Sequence, residues 1–215
     1  MLDRWSVKIV KPPLERLSGH LEARGIEADR ITVAGFAVGM AALPLLAFER
    51  YLPALLCIAI NRICDGLDGA VARRQGITDR GGFLDIVLDF IFYAAVIFGF
   101  ALARPADNAL PAAALLFGFM GTGASFLGFA VMAGKRGISS PVYKNKSLYY
   151  LEGLTEGTET IAFFVLFCLL PDAFPLLAWV FAVACWITAA TRVRGGYLTL
   201  ASLEAKMPPR TDRSG

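Results

Sequence analysis

Histidine is all but missing from this chain: His20 is the only one in 215 residues. That leaves no Ser–His–Asp triad and no histidine-built metal site. Cysteine is scarce as well. Cys57, Cys64, Cys168 and Cys185 all lie inside apolar runs, with no C-x-x-C pair. They read as small buried hydrophobes, neither zinc ligands nor a disulfide framework. Charge is the third shortage, at 18% of residues, where a soluble domain carries about 25%. Any chemistry must therefore run on carboxylates, lysines and arginines.

What the chain has in excess is apolar surface. Hydrophobic residues make up 56% of it, and the mean hydropathy is +0.58. Six membrane spans of about 20 residues would need about 120 apolar positions, which is close to the whole apolar content. Little remains for a second, soluble domain, and the composition argues against a secreted disulfide module, a nucleic-acid binder or a disordered chain. Six apolar stretches run Ile31–Phe48, Tyr51–Arg74, Gly81–Ala103, Ala109–Lys135, Leu154–Pro171 and Phe174–Thr191. Lipid offers the backbone no partners, so each must be a helix. Turns are expected at Glu49–Arg50, over Arg104–Asn108 and at Pro171–Asp172. Gly35 and Gly39, and then Gly118, Gly121, Gly123, Ser125 and Gly128, recur at spacings that suit close helix contact.

The expected fold is all-α: an integral membrane six-helix bundle with an N-terminal amphipathic interfacial helix. Residues 1–30 mix Leu2, Trp5, Ile9, Leu14, Leu17 and Leu21 with basic residues and are broken at Pro12–Pro13. They read as a juxtamembrane segment lying in the interface, and they lack the pattern of a signal peptide. Residues 31–197 form the membrane domain and 198–215 a cytoplasmic tail. With both termini inside, 18 of the 21 basic residues fall in inside segments. Arg50 and Arg104 lie outside, and Arg62 lies within a span. This asymmetry sets the orientation, in what is expected to be a bacterial inner membrane.

Charges within spans are costly and mark functional sites by default. The second and third spans carry Asp65, Asp68, Asp85 and Asp89. Asp65 and Asp68 share one helix face, and Asp85 and Asp89 share one face of the next. At about 1.5 Å per residue, Asp65 and Asp89 lie roughly 12–13 Å below the cytoplasmic boundary, with Asp68 and Asp85 shallower. Four carboxylates could thus converge in one pocket open to the cytoplasm. Two divalent cations would cancel their charge, and oxygen ligands select hard ions such as Mg²⁺ or Mn²⁺. Such a site suits phosphoryl chemistry. The plain alternative is that the aspartates pair only with Arg62, Arg73, Arg74 and Arg80.

The stretch Asp65-Gly-Leu-Asp68-Gly69-Ala-Val-Ala72-Arg73, then seven residues, then Gly81-x3-Asp85-x3-Asp89 meets every fixed position of D-x2-D-G-x2-A-R-x(7–8)-G-x3-D-x3-D. It resembles the signature of the CDP-alcohol phosphatidyltransferase family. The resemblance implies that a CDP-linked lipid, usually CDP-diacylglycerol, meets a small alcohol, giving a phospholipid and CMP. It implies that Asp65, Asp68 and Asp85 bind the metal pair, the first two also close to the nucleotide. Asp89 would be the general base and a fourth ligand near the metals, and a carboxylate there suits the first role. Gly69 and Ala72 would leave room for the cytidine, and Arg73 would support the phosphates or the aspartates. Asp29-Arg30-Ile31-Thr32 is similar to the family's Pro-Asn-x-x-Thr entry without its Pro-Asn, so only Thr32 carries over, with a helix-cap role as the equal alternative. A homodimer in contact with membrane lipids, and no nucleic-acid partner, complete the expectation.

The acceptor is less legible. Lys135, Arg136, Lys144, Lys146 and Arg192, together with Arg194, face the cytoplasmic opening and are placed either to hold glycerol 3-phosphate or an inositol phosphate, or merely to fix topology and contact anionic lipid. Glu152, Glu156 and Glu159 either favour a helix start or would meet an amine-bearing acceptor such as serine. The alternative of another class is a membrane cation transporter, against which stands the lack of acidic residues continuing to the outer side.

Overall fold

The computed structural model describes residues 14–137 and 154–205, and these residues are helices joined by short turns. A first helix, α1, covers 14–23. It is followed by α2 (Ala28–Met40), α3 (Ala42–Ala47), α4 (Tyr51–Gln75), α5 (Asp79–Ala103), α6 (Pro105–Lys135), α7 (Gly157–Leu169) and α8 (Phe174–Glu204). Among the described residues, four stretches are long and apolar enough to cross a membrane: Ala28–Ala47, Asp79–Ala103, Pro105–Lys135 and Pro171–Glu204. The chain is therefore an integral membrane protein. The expected count of six has two shortfalls. Helix α4 has the length, at 25 residues, but carries Arg62, Asp65, Asp68, Arg73 and Arg74. Helix α7 is apolar but only 13 residues long.

Three boundaries differ from the sequence reading. The helix of the first expected span is interrupted at Ala41, because Pro44 has no N–H to donate to the Met40 carbonyl and its ring crowds that carbonyl; Ala28–Ala47 still makes one span. The turn expected over Arg104–Asn108 shrinks to Arg104 alone, since Pro105 starts α6. A proline at the first helical position loses no hydrogen bond, and Asp107 in the first turn suits the dipole. Helix α8 runs on to Glu204, through the residues expected to begin the tail.

The helices pack so that the site has a gap to occupy. Helices α2 and α3 pack against both α4 and α5, which share little direct backbone contact with one another. Helix α6 packs on α5 and most extensively on α8, and α7 on α4 and α8. The seams are made close by small residues. A Cβ on Gly35 would fall 2.4 Å from Cys64 Cβ, and one on Gly39 2.8 Å from Asn61. Gly118 abuts Cys185 and Ala182 on α8, and Gly123 abuts Phe90 on α5. Gly128, expected in the same seam, faces open space.

The core is aromatic. Phe92, Phe100, Phe164, Phe167, Phe174 and Phe181 are fully buried. Phe100 stacks on Phe174 at 4.7 Å, and Phe163 on Phe181 at 4.2 Å between centroids. Cys168 and Cys185 are buried among them as free thiols. At the opposite end from the aspartates, Arg104 bonds both Glu49 and Asp172, tying three turns together. Helix α1 rests on α4 and α2, with Leu14 and Leu21 packed against Ile31, Leu67 and Val71.

Substituting Gly39 with valine should destabilise the fold by about 1–3 kcal/mol through overpacking. Gly128→Ala should change stability by less than about 0.5 kcal/mol. Thermal melts in detergent would check the contrast, and equal losses would remove the close α2–α4 seam from the account.

Candidate active site

The turn that sets the site is three residues long. Gly76 closes α4 with φ +103°, a conformation that a side chain would strain. Thr78 then caps α5, its hydroxyl accepting from the Gly81 N–H at 3.2 Å. So short a link returns the chain beside itself and brings the two aspartate faces towards each other across the gap bordered by α2.

One oxygen each of Asp65, Asp68 and Asp85 lies within 4.8 Å of the others. Asp68 is buried, and the other two are half-buried. Oxygens on opposite sides of a hard divalent ion stand about 4–5 Å apart, so the donor set and its spacing fit such an ion. The side chain of Thr32 finishes the arrangement. Its hydroxyl donates to Asp68 Oδ2 at 2.6 Å, with the Ala28 carbonyl 3.1 Å away as the competing acceptor. Thr32 is not a cap: α2 begins at Ala28 with Glu27 as its N-cap.

Asp89, expected as a fourth ligand, stands apart from that trio. Arg62 bonds both of its oxygens, Nη2 to Oδ1 at 2.6 Å and Nη1 to Oδ2 at 3.3 Å. Arg62 also lies 3.6 Å from Asp65. The other arginines of the alternative pairing go elsewhere: Arg74 to Glu22 and Arg80 to Asp29. Asp68 and Asp85 edge a groove of about 480 Å³, and all four aspartates line a tighter space beside it.

That groove also takes in Thr32, Gly69, Ala72 and Arg73, all four singled out by the family resemblance. Arg73 bends back over Gly69, its Nη1 3.4 Å from where a Cβ would stand. At the groove mouth, Gln75 donates to the Ile26 carbonyl at 2.8 Å, and Arg80 pairs with Asp29 at 3.2 Å. Together they hold the α1–α2 link and α2 against the ends of α4 and α5.

Of the basic residues proposed for the acceptor, Lys135, Arg136 and Arg192 do not line the groove. Arg136 pairs with Glu204 at 2.6 Å, joining α6 to α8. Lys135 is exposed at the end of α6. Arg192 is buried, with its guanidinium 5.8 Å from the ring of Phe126, a residue of the groove wall. Lys144 and Lys146 lie outside the described residues, as does Glu152. Glu156 and Glu159 form a reciprocal capping box at the start of α7, which is the helix-start role. Sequence reasoning missed Asn61 and Tyr93, which hold Arg62, and noted Arg62 only as a charge within a span. That misplaced cation was itself the available signal.

The sequence model of the CDP-alcohol phosphatidyltransferase family matches residues 26–193. The chain is 56% identical over 204 residues to Inner membrane protein YnjF of Escherichia coli (strain K12), covering 95% of this chain and 99% of that one. It is 36% identical over 94 residues to the archaetidylinositol phosphate synthase of Pyrococcus horikoshii, covering 43% of this chain and 50% of that one. Among solved structures, its fold is similar to that of the phosphatidylinositol phosphate synthase of Mycobacterium tuberculosis with CDP-DAG bound. The TM-score is 0.68 at 21% identity, over 94% of this chain and 98% of that one. The same enzyme in complex with manganese and citrate gives a TM-score of 0.67 at 22% identity, over 94% and 93%. The chain belongs to the CDP-alcohol phosphatidyltransferase family. It is an integral membrane transferase of phospholipid biosynthesis.

Thr32→Val removes the donor that orients Asp68. It should weaken Mn²⁺ binding by about 10–100-fold, the usual cost of losing an outer-shell partner. Titration of the Mn²⁺ resonance signal would measure it, and an unchanged affinity would detach Thr32 from the carboxylate trio.

Proposed function

We propose that this protein transfers a phosphatidyl group from CDP-diacylglycerol to a phosphorylated small alcohol, releasing CMP. The observation that carries the reading is the groove of about 480 Å³ whose wall includes Asp68, Asp85, Gly69, Ala72 and Arg73. It has the size of an ordinary small-ligand site. Gly69 and Ala72 keep one side of it free of bulk, which suits a cytidine. The Arg73 guanidinium suits the diphosphate.

Asp65, Asp68 and Asp85 would hold Mg²⁺ or Mn²⁺, a pair of ions in the full reading, which when bound neutralises the diphosphate charge. Asp89 takes the proton of the acceptor hydroxyl. The acceptor oxygen bonds the lipid-side phosphorus as the bond from that phosphorus to the CMP oxygen breaks. Among the relatives, the archaetidylinositol phosphate synthase and the mycobacterial phosphatidylinositol phosphate synthase are named for an inositol phosphate product. Those names favour a phosphorylated polyol over serine, as does the use of Glu156 and Glu159 in capping α7.

The reading extends to the setting. Helices α4 and α7 complete six spans, α4 tolerated because Arg62, Asp65, Asp68 and Arg73 face the site and α7 because it is a short segment backed by α4 and α8. Helix α1 lies along the cytoplasmic interface, its basic residues towards anionic lipid. The excess of basic residues on the same side puts the termini and the groove in the cytoplasm of a bacterial inner membrane. The protein works as a homodimer.

Purified protein given CDP-diacylglycerol and a panel of alcohols should release CMP with inositol phosphate or glycerol 3-phosphate and form the matching lipid. Chelation should abolish the release, and Mg²⁺ or Mn²⁺ should restore it. Asp89→Asn should cut turnover by about 10²–10⁴-fold, the usual worth of a general base, while Mn²⁺ and CMP still bind. Metal uptake into vesicles without CMP release would replace this reading with a transporter.

A further inference from the structure

Arg62 is the most fully bonded side chain near the site, and the reaction as written gives it nothing to do. Its side chain is only 14% exposed. The guanidinium has five N–H groups, and five hydrogen bonds leave it. Nε and Nη2 both donate to Asn61 Oδ1, at 2.8 and 2.6 Å. Nη1 donates to the Tyr93 hydroxyl at 3.0 Å, and Nη1 and Nη2 each take one oxygen of Asp89. The rings of Phe92 and Tyr93 lie 4.9 and 5.1 Å from its central carbon, within the range of a cation–π contact.

The residues that hold Arg62 are themselves held. Asn61 is buried and donates to the Gly35 carbonyl at 3.0 Å, across the close α2–α4 seam. Phe92 is fully buried and reaches Phe164, and Tyr93 packs on Phe119 and Phe164. The free space among Arg62, Asn61, Asp65 and Asp89 is about 10 Å³, room for no more than about one water. The guanidinium is thus fixed from α4 and α5, with its partner Asn61 tied in turn to α2, and it spans the gap between α4 and α5.

We propose that Arg62 is a positioning residue that fixes the Asp89 carboxylate for proton transfer, with Oδ1 anchored and the more loosely held Oδ2 left to take the proton. This rests on the reading of Asp89 as the general base. The proton passes from the acceptor hydroxyl to Oδ2 as the new oxygen–phosphorus bond forms and the bond to CMP breaks. A carboxylate oxygen has about two acceptor sites, so the bond from Nη1 leaves Oδ2 one to use. A pure scaffolding role would call only for charge and bulk. The planar fork with every donor engaged defines an orientation, which a lysine cannot reproduce.

The test compares Arg62→Ala, Arg62→Lys and Tyr93→Phe in steady-state CMP release, Mn²⁺ affinity and thermal melting. Arg62→Ala should lower kcat by about 10²-fold, the cost of a misplaced reacting group. Its KM for the CDP-lipid and its Mn²⁺ affinity should stay near wild type, the pattern of a lost transition-state interaction. Added guanidinium at millimolar concentration should recover part of that kcat, and Arg62→Lys should remain impaired. Tyr93→Phe, which removes one of the five bonds, should lower kcat several-fold with its Mn²⁺ affinity retained. Wild-type kcat in Arg62→Ala would overturn the proposal, as would full activity in Arg62→Lys. So would joint loss of kcat, Mn²⁺ affinity and melting temperature without guanidinium recovery. If Arg62→Ala does not fold, wild-type kcat in Tyr93→Phe overturns it. An inactive wild type would instead sink the underlying reading, and the positioning role with it.

Discussion

Carboxylates sunk into membrane-spanning helices must be neutralised by something, and the rest of this molecule is arranged around that need. Each isolated charge at that depth would cost several kcal/mol, and here four share one small volume. The structure divides them. Asp89 is answered by Arg62 from within the chain, while Asp65, Asp68 and Asp85 converge within 4.8 Å of one another. Asp65 borders both groups, 3.6 Å from Arg62. That division turns a set of four acids into two devices with different tasks.

The helix packing follows from the same constraint. Were α4 and α5 packed tightly together, four like charges would meet with no room for a counter-ion or a ligand. Helix α2 lies against both of them, and α4 and α5 share little direct backbone contact although only the Gly76–Thr78 turn separates them in sequence. The gap carries the carboxylates, the Arg62 bridge and the mouth of the groove. Close seams elsewhere, at Gly35, Gly39, Gly118 and Gly123, hold the gap open by fixing the walls around it. In lipid, where apolar surface alone does not drive helices together, such backbone approach is a principal source of cohesion.

Much of this was legible in the sequence, for identifiable reasons. The Asp spacings of three and four residues place each pair on one helix face, and the short polar turn forces the faces together, so the cluster followed from periodicity alone. Gly69, Ala72 and Arg73 could be singled out because the stretch holding those acids resembles the family signature, and Thr32 because Asp29–Thr32 resembles the family's entry motif. Helix limits were less readable. Pro105 looked like a turn residue and is the first residue of a helix, and Pro44 interrupts the helix of a span that hydropathy drew as continuous. Hydropathy also drew α4 as a span, although its charges leave it too polar to qualify by composition. The division of labour among the acids was the least accessible part. Arg62 sits three residues before Asp65, which suggests a local pair, yet its fork turns to Asp89, 27 positions away. Asn61, Tyr93 and Phe92 fix that choice, and only the three-dimensional packing brings them together.

The central claim is that the carboxylate trio and the groove beside it form one site, in which a divalent ion and a cytidine phosphate support each other. Linkage makes this measurable, because coupling between two ligands is reciprocal. CMP binding to the wild-type protein should be followed by calorimetry with and without Mn²⁺, and Mn²⁺ binding with and without CMP. The account predicts that each ligand tightens the other by the same factor, and that Asp68→Asn removes the effect. Equal CMP affinity in the presence and absence of Mn²⁺ would contradict it.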